Sequence, residues 1–192
     1  MTLIFATNNI HKVNEIRNAL NNDFEIISLK EAGIDKDIPE PHDTLEANAS
    51  EKSQTIFRLT GSNCFSEDTG LEVEALNGAP GVKSARYAEG EPQYKDFIDK
   101  LLDKLKDENN RKARFRTVIS LIINGEEQLF EGICTGKITR ERIGTNGFGY
   151  DPVFIPDGAD KTFAEMTMDE KKQYSHRAKA LAKLVDRLKM CP

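Results

Sequence analysis

The sequence contains no tryptophan, only three cysteines and no long apolar stretch. Cys64, Cys134 and Cys191 are odd in number and lack the spacing of metal ligands, which argues against a disulfide framework or a cysteine metal site. The apolar run near the N-terminus covers only residues 3–6, far short of the roughly 20 residues that cross a bilayer. These absences predict a cytoplasmic protein that has no membrane partner and is not exported.

Basic residues are outnumbered by acidic ones, 27 to 32, which gives a formal net charge of -5. Because a nucleic-acid backbone is bound by an excess of positive charge, nucleic acid is not an expected partner. A small phosphorylated ligand needs only a local group of cations and is compatible with this composition. The 192 residues favour a single domain, residues 1–192, that buries its own core.

The segment from Ser66 to Tyr87 concentrates acids, glycines and a cation where a small domain is expected to build core. Two adjacent carboxylates, Glu67 and Asp68, are predicted to lie at the end of a short strand, just before a bend at Thr69-Gly70. Neighbouring carboxylates repel each other unless a divalent cation or another positive group lies between them. The segment alone leaves two interpretations open, a solvated acidic turn and the acidic part of a cation site.

The chain begins with a predicted strand, turn and helix. Residues 2–7 form a buried-strand candidate, and the helix that follows has Val13, Ile16 and Leu20 on one face. The turn brings polar side chains to a helix N-terminus, where backbone N–H groups and the helix dipole favour an anion; these side chains are Thr7, Asn8, Asn9 and Lys12. Phosphate binding and simple capping by asparagine both explain this turn.

A second helix is predicted after a strand at residues 24–28 and a loop in which Glu40 lies between two prolines. Asp43 and Glu46 have the spacing of a capping box, and the helix should run to about Thr60 before Gly61. Lys52 falls on the apolar face of this helix. It either extends to the rim of the core or reaches a buried anion near the carboxylates.

The second half of the chain adds an amphipathic helix at residues 94–105 and two β-rich runs, residues 114–123 and 128–138, joined through Asn124-Gly125. Asn-Gly between two such runs predicts a β-hairpin. Strands that alternate with helices and then end in an antiparallel hairpin predict an α/β domain with a mixed sheet.

A glycine-rich loop from Gly144 to Asp151 precedes a predicted strand at residues 152–155 and is expected to expose Phe148 and Tyr150. Glycines beside an aromatic residue allow the backbone to approach a flat ligand while the ring stacks on it. The alternative is that the Phe148 ring packs back into the core.

The last helix is predicted to start at a capping box formed by Thr167 and Glu170. Its buried stripe is expected at Ala178, Leu181, Ala182, Val185 and Leu188. Four donors precede that stripe, and they form either a solvated face or a set of hydrogen-bond donors for the oxygens of a ligand; they are Lys171, Ser175, His176 and Arg177.

Five ordered blocks of the sequence resemble the inosine/xanthosine triphosphate pyrophosphatases, the Ham1-like family that acts on non-standard purine nucleoside triphosphates. The blocks span nearly the whole chain and comprise Ala6 to Lys12, Ile38 to Glu40, Ser66 to Tyr87, Phe148 to Phe154 and Ala164 to Arg177. The resemblance implies an α/β fold with an elongated, twisted mixed sheet and flanking helices in two lobes, a nucleotide cleft between the lobes, and a homodimer.

The resemblance also implies a reaction and the residues that perform it. ITP, dITP or XTP would be cleaved at the α-phosphorus to the monophosphate and pyrophosphate, with Mg²⁺, or Mn²⁺ in its place, as the cofactor. Asp68 would be the general base and a metal ligand, Glu40 and Glu67 would complete the acidic cluster, and Thr69 would touch the substrate. The family commonly has Asp-Asp-Ser-Gly where this chain has Glu67-Asp68-Thr69-Gly70.

The remaining implied contacts divide between the phosphates and the base. Residues 7–12 would hold the triphosphate, with Lys52 near the phosphates. The base and sugar would be clamped by Phe148, Gly149, Tyr150 and Asp151, with Lys171, His176 and Arg177 around the purine. Two other functions stay open, a metal-dependent pyrophosphatase for a modified pyrimidine or methylated guanine nucleotide, and a nucleotide-binding regulator without turnover.

Overall fold

The computed structural model describes residues 2–20, 24–36 and 38–189, so Cys191 lies outside the described residues. Within these ranges the helices are α1 (Ile10–Leu20), α2 (Leu45–Thr60), α3 (Phe97–Lys104), α4 (Met168–Tyr174) and α5 (His176–Lys189). The strands are β1 (Thr2–Phe5), β2 (Glu25–Ser28), β3 (Cys64–Val73), β4 (Pro80–Gly81), β5 (Lys112–Ile123), β6 (Glu126–Ile138) and β7 (Phe154–Pro156).

The sheet is mixed, as the sequence predicts. Its strand order is β2-β1-β3-β5-β6-β7, with β4 paired to β3. β1 runs parallel to β2 and to β3, whereas the β3–β4 and β6–β7 pairs are antiparallel. The predicted α/β class with flanking helices is confirmed. Among the described residues no helix is both long and apolar enough to span a membrane.

The described chain divides into two compact units, one formed by residues within 1–68, 117–132 and 176–192 and the other by residues 69–116 and 133–175. In the first unit, α1 buries Val13, Ile16 and Leu20, as its periodicity predicts. These side chains share a core with β1 and α5, in which the rings of Phe5 and Phe65 stack with centroids 4.5 Å apart.

The core of the second unit is built around three phenylalanines. Phe115 meets Phe154 edge-on at 4.7 Å between centroids, and Phe154 lies 5.3 Å from Phe163. The apolar stripe of α3 packs into the same cluster through Ile98 and Leu101. The predicted amphipathic helix is therefore confirmed in its packing, although it begins only at Phe97, after the N-cap Asp96.

The structure corrects the start of α2. The N-cap is Thr44, whose Oγ1 accepts a hydrogen bond from the backbone N–H of Ala47, so the capping box proposed for Asp43 and Glu46 is wrong by one residue. The end of the helix is as predicted. Gly61 adopts φ = 65°, a left-handed conformation that glycine accepts without strain, and its N–H bonds to the Phe57 carbonyl.

Two further corrections concern the second half of the chain. The predicted strand at residues 152–155 is instead a single 3-10 turn at Asp151–Val153 followed by β7. The capping box of Thr167 and Glu170 is present, but it starts the short α4, and the long terminal helix is the separate α5. The predicted stripe of α5 is confirmed at Leu181 and Leu188, whereas Ala178 and Val185 are half-buried and Ala182 is exposed. The buried residues of α5 are His176, Arg177, Ala180, Leu181, Leu184 and Leu188.

Candidate active site

β3 passes through the acidic segment without interruption. Glu67 and Asp68 lie in the middle of this ten-residue strand, so the predicted strand end and the bend at Thr69-Gly70 are wrong. The strand continues because Leu71 is fully buried and because Gly70 permits close approach to β4; a Cβ at Gly70 would lie 2.6 Å from the Gly81 carbonyl oxygen. The two carboxylates therefore project from a rigid strand between β1 and β5.

Both carboxylates are buried. Glu67 is 2% exposed and Asp68 is 5% exposed, which excludes the solvated acidic turn. Adjacent residues of a strand point to opposite faces of the sheet, so each carboxylate has its own surroundings. Each of them also has its own cations.

Glu67 is held by two cations of the first unit. Arg177 donates from Nε to Oε2 at 2.7 Å and from a terminal nitrogen to Oε1 at 2.8 Å, and Lys12 Nζ lies 3.1 Å from Oε1. Burial raises the pKa of Glu67, but Arg177 and Lys12 outweigh burial and hold that pKa well below its usual range. Arg177 also pairs with Glu15 on α1, so one buried guanidinium bridges two carboxylates.

Asp68 faces a different set of groups. Lys52 Nζ lies 3.6 Å from Asp68 Oδ1 and also pairs with Glu40. Asn48 donates from Nδ2 to Asp68 Oδ2 at 3.1 Å. Burial, aided by the charge of Glu40 and opposed by Lys52, raises the pKa of Asp68 above its usual range. Lys52 is only 6% exposed, so it does not extend to the rim; it reaches the buried Asp68 and the half-buried Glu40.

Asp68 and Glu40 are chemically suited to hold a magnesium ion. Their carboxylates already share one cation, the ammonium of Lys52, and Mg²⁺ prefers hard oxygen ligands and commonly takes one or two carboxylates together with substrate phosphates. Within the described part of the chain, no three His, Cys, Asp or Glu side chains are grouped to hold a metal ion. Both oxygens of Glu67 are engaged by Arg177 and Lys12 in the structure. A role for Glu67 as a third metal ligand stays a prediction.

In the turn before α1, Asn9 caps the helix, which was one of the two explanations that the sequence left open for this turn. Asn9 Oδ1 accepts hydrogen bonds from the N–H groups of His11 at 3.0 Å and Lys12 at 3.3 Å. Thr7 Oγ1 accepts from the Asn9 N–H at 3.2 Å, while Asn8 is exposed. The phosphate-binding role of residues 7–12 stays a prediction.

The second unit contains another group of predicted site residues. Lys171 Nζ donates to Asp151 Oδ2 at 2.7 Å and lies 5.1 Å from the centre of the half-buried Phe148 ring. The same Asp151 oxygen accepts the Phe148 N–H at 2.9 Å. Gly147 adopts φ = 74°, a conformation that favours glycine, and a Cβ there would lie 2.1 Å from this oxygen. Asp151 thus fixes both the lysine and the aromatic loop.

The structure corrects the expectation that the glycine-rich loop exposes Tyr150. The residue is 4% exposed, and its hydroxyl donates to the Ser84 carbonyl at 2.8 Å. Gly149, beside it, adopts φ = 63°. Thr69, the first residue of the second unit, is half-buried on β3.

The four donors that precede the predicted stripe of the last helix are all buried, so the solvated-face interpretation is wrong; they are Lys171, Ser175, His176 and Arg177. Close packing sets the position of the first turn of α5. A Cβ at Gly132 would lie 2.1 Å from the His176 carbonyl oxygen, so only glycine allows β6 this approach.

Sequence reasoning missed two residues of this site, Glu15 and Asn48. Glu15 lies three positions after Lys12 on α1, a spacing that places both side chains on one helix face. Asn48 lies on the buried face of α2, four positions before Lys52. The sequence signal that could have identified Asn48 is therefore its spacing, because a polar residue four positions before Lys52 lies on the same helix face.

Replacing Arg177 with alanine should destabilise the protein strongly. The change leaves Glu67 buried without its main partner, and breaking a buried ion pair on one side costs about 3–5 kcal/mol. Arg58→Ala is the matched control, because Arg58 is exposed beside Glu51 and such pairs contribute about 1 kcal/mol or less. Urea unfolding measures both variants, and an equal loss in the two would contradict the buried-pair assignment.

The same variant gives a pH test. Since Arg177 and Lys12 lower the pKa of Glu67 in the folded protein, the stability from this pairing is present above the unfolded pKa of about 4.3 and is lost as the pH falls toward the folded value. The unfolded chains share the same Glu67 pKa, so the difference in unfolding free energy between wild type and Arg177→Ala should narrow as the pH falls through the folded-state pKa of Glu67 in the variant, which is higher than in wild type because Arg177 no longer opposes burial. A difference that stays constant from neutral to acidic pH would show that Glu67 is not the group affected.

Comparison with known proteins gives a consistent result. The chain matches the Ham1 family over residues 3–187. It is 54% identical over 186 residues to the dITP/XTP pyrophosphatase of Porphyromonas gingivalis, covering 96% of this chain and 95% of that protein. It is 48% identical to the dITP/XTP pyrophosphatase of Flavobacterium psychrophilum over 97% of this chain and 98% of the relative.

Solved structures show the same similarity in three dimensions. The Ham1 protein of Staphylococcus aureus superimposes with a TM-score of 0.86 at 38% identity, covering 98% of both chains. A HAM1 protein from Coxiella burnetii gives a TM-score of 0.87 at 34% identity, again over 98% of both chains. The five sequence blocks, the mixed sheet and the full-length matches agree, and the chain belongs to the Ham1 family.

Proposed function

We propose that this protein hydrolyses the non-standard purine nucleoside triphosphates dITP, XTP and ITP at the α-phosphorus and releases the monophosphate and pyrophosphate. The observation that carries the proposal is the buried Glu67-Asp68 pair on β3, each carboxylate with its own lysine, Lys12 or Lys52. Family membership and the relatives named dITP/XTP pyrophosphatase support the substrate class.

Asp68 is the proposed general base, which accepts a proton from the attacking water. Burial raises its pKa, and a base whose pKa lies closer to the working pH holds a proton more readily in the transition state. Asn48 and Lys52 contact its two oxygens and fix the direction of the carboxylate. The proposed base of this site is therefore a carboxylate whose orientation is set by its two neighbours.

Asp68 and Glu40 are the proposed ligands of Mg²⁺, with the substrate phosphates completing the coordination. When bound, the ion neutralises and polarises the triphosphate. Lys52 lies between the same two carboxylates and is proposed to hold a phosphate together with Lys12. Glu67, with Arg177 on its other side, holds Lys12 in place for this role.

The base is proposed to stack on Phe148 and to accept a hydrogen bond from Lys171 of the same unit. The guanidinium of Arg177 is engaged by Glu67 and Glu15, so the contacts with the base that the resemblance implies for His176 and Arg177 stay predictions. Lys171 and Phe148 are oriented by the one Asp151 carboxylate, which supports a role for that carboxylate in arranging the aromatic loop. Stacking is tolerant of any purine, whereas hydrogen bonds to the exocyclic group distinguish one purine from another.

A substrate panel tests the proposal against its two alternatives. The protein is incubated with Mg²⁺ and, separately, dITP, XTP, ATP, a methylated pyrimidine triphosphate and 7-methyl-GTP, and the released phosphate species are identified. Pyrophosphate release from dITP and XTP above all others is expected. Preference for a modified pyrimidine or methylated guanine would favour the related pyrophosphatase, and binding without any product would favour a regulator.

A further inference from the structure

We propose that Asn48 is a positioning residue of this active site, which orients the Asp68 carboxylate and at the same time anchors the loop that carries Glu40. The inference rests on the proposed function for its catalytic consequence, since Asp68 and Glu40 act there as base and metal ligands. The structural part, the anchoring of the loop, stands independently of any substrate.

The side-chain amide of Asn48 makes three hydrogen bonds. Its Oδ1 accepts from the backbone N–H of His42 at 2.9 Å, and its Nδ2 donates to the His42 carbonyl at 3.1 Å. The second hydrogen of Nδ2 reaches Asp68 Oδ2, also at 3.1 Å. An asparagine amide offers two donor hydrogens and one acceptor oxygen, so this arrangement uses both kinds of group. Asn48 is 1% exposed, and water does not compete for these bonds.

The two bonds to His42 fix the backbone two residues beyond Glu40. Lys52, four residues after Asn48 on the same face of α2, pairs with Glu40 itself and lies 3.6 Å from Asp68. Residues four apart on a helix are neighbours. Asn48 and Lys52 therefore lie next to each other on α2. Each side chain contacts both the loop before α2 and Asp68 on β3.

α2 is itself held firmly against the sheet, which gives Asn48 a fixed base. Ser66 Oγ donates to the Ala49 carbonyl at 2.5 Å, and Cys64 Sγ donates to the Ser53 carbonyl at 3.3 Å. The hydroxyls of Ser53 and Ser120 lie 2.6 Å apart. These contacts place the helix next to β3, on which Asp68 lies, so a rigid helix sets the position of the Asn48 amide.

The chemistry requires an amide at this position. An alanine would give Asp68 no donor and His42 no partner. An aspartate would still accept the His42 N–H, but it would present a carboxylate instead of a donor to Asp68, and like charges in contact repel. Alanine and aspartate therefore separate the two tasks of Asn48.

The test compares wild type, Asn48→Ala and Asn48→Asp by steady-state kinetics with dITP and by amide hydrogen exchange at His42. A hydrogen bond to a charged group corresponds to roughly 10- to 100-fold in rate, so kcat should fall by about that factor in both variants with KM changed by less than about 3-fold. Exchange at the His42 amide should accelerate in Asn48→Ala and stay slower in Asn48→Asp, which keeps the acceptor.

Gln54→Ala is the matched control, because Gln54 is a half-buried amide of the same helix α2 that donates to Glu127 at 2.8 Å and is not among the contacts that hold Asn48. It should leave kcat and His42 exchange near the wild-type values. A kcat within about 3-fold of wild type in folded Asn48→Asp, or a change confined to KM, would overturn the positioning role. Unchanged His42 exchange in Asn48→Ala would overturn the anchoring.

The outcomes distinguish this inference from the proposed function. If wild type fails to hydrolyse dITP, the proposed function fails, while His42 exchange still reports whether Asn48 anchors the loop. If wild type is active and both Asn48 variants match its kcat, the proposed function holds and the inference fails. Should Asn48→Ala not fold, Asn48→Asp still supplies the kinetic result, because it retains the acceptor for His42.

Discussion

Asp68→Asn should remove turnover while leaving the fold and nucleotide binding in place. Asparagine is nearly isosteric with aspartate, so the packing on β3 is preserved, but it cannot accept a proton at neutral pH. Loss of a general base costs about 10²–10⁴ in rate. The negative charge that we propose to share the metal with Glu40 is lost as well, so the decrease in kcat should lie toward the upper end of this range.

Asp186→Asn is the matched control, because it is the same change at an exposed position of α5 in the same unit. It should retain wild-type kcat. Circular dichroism and nucleotide affinity verify that the Asp68 variant is folded and binds substrate. An Asp68→Asn protein that keeps more than about a tenth of the wild-type rate would contradict the assignment of Asp68 as the base.

Hydrolysis of ITP and XTP should exceed that of ATP by a large factor. Inosine and xanthine present a hydrogen-bond acceptor at C6, where adenine presents an NH₂ donor, and the proposed base-binding side chains are chiefly donors. With ATP, donor would face donor. A site built around a substrate hydrogen bond rejects the mismatched analogue by about 10⁴ or more, so the ratio of kcat/KM values should approach that size.

Two variants locate the source of this selectivity. Phe148→Ala should weaken both substrates and leave the ITP/ATP ratio roughly unchanged, because stacking does not read the exocyclic group. Lys171→Met keeps a side chain of similar length but removes the donor beside Phe148, so it should shrink the ratio. The opposite pattern would assign selectivity to ring shape and contradict the donor argument.

The elements with a local signal were predictable from the sequence. The hairpin through Asn124-Gly125 joins β5 to β6 as expected, and both residues have the positive φ values that this turn needs, 52° and 86°. Gly61 ends α2 as predicted. In each case the residues that determine the geometry are neighbours in the chain, so the pattern contains the information.

The errors arose where distant residues decide the structure. Glycine and threonine after Asp68 predicted a bend, yet β3 continues because β4 packs against Gly70. Tyr150 was expected to be exposed, but Ser84, 66 positions away in the chain, accepts its hydroxyl.

In the candidate site, too, some features were predictable from the sequence and others depend on residues that are distant in the chain. Lys52 stood out in the sequence as a lysine on an apolar face, and one of its two interpretations is confirmed, since it reaches the buried Asp68 and the half-buried Glu40. The bond between Arg177 and Glu67 joins residues 110 positions apart, a pairing that spacing does not reveal. Sequence thus identified the ionisable residues, whereas the structure assigned their partners.

The position of water attack is the most direct test of hydrolysis at the α-phosphorus. Hydrolysis of dITP is run to completion in ¹⁸O-labelled water with Mg²⁺, and the products are identified by ³¹P NMR and mass spectrometry. We expect dIMP and pyrophosphate in equal amounts, with the label in dIMP, because the proposed water attack is at the α-phosphorus. Formation of dIDP and orthophosphate, or label in the pyrophosphate, would contradict it.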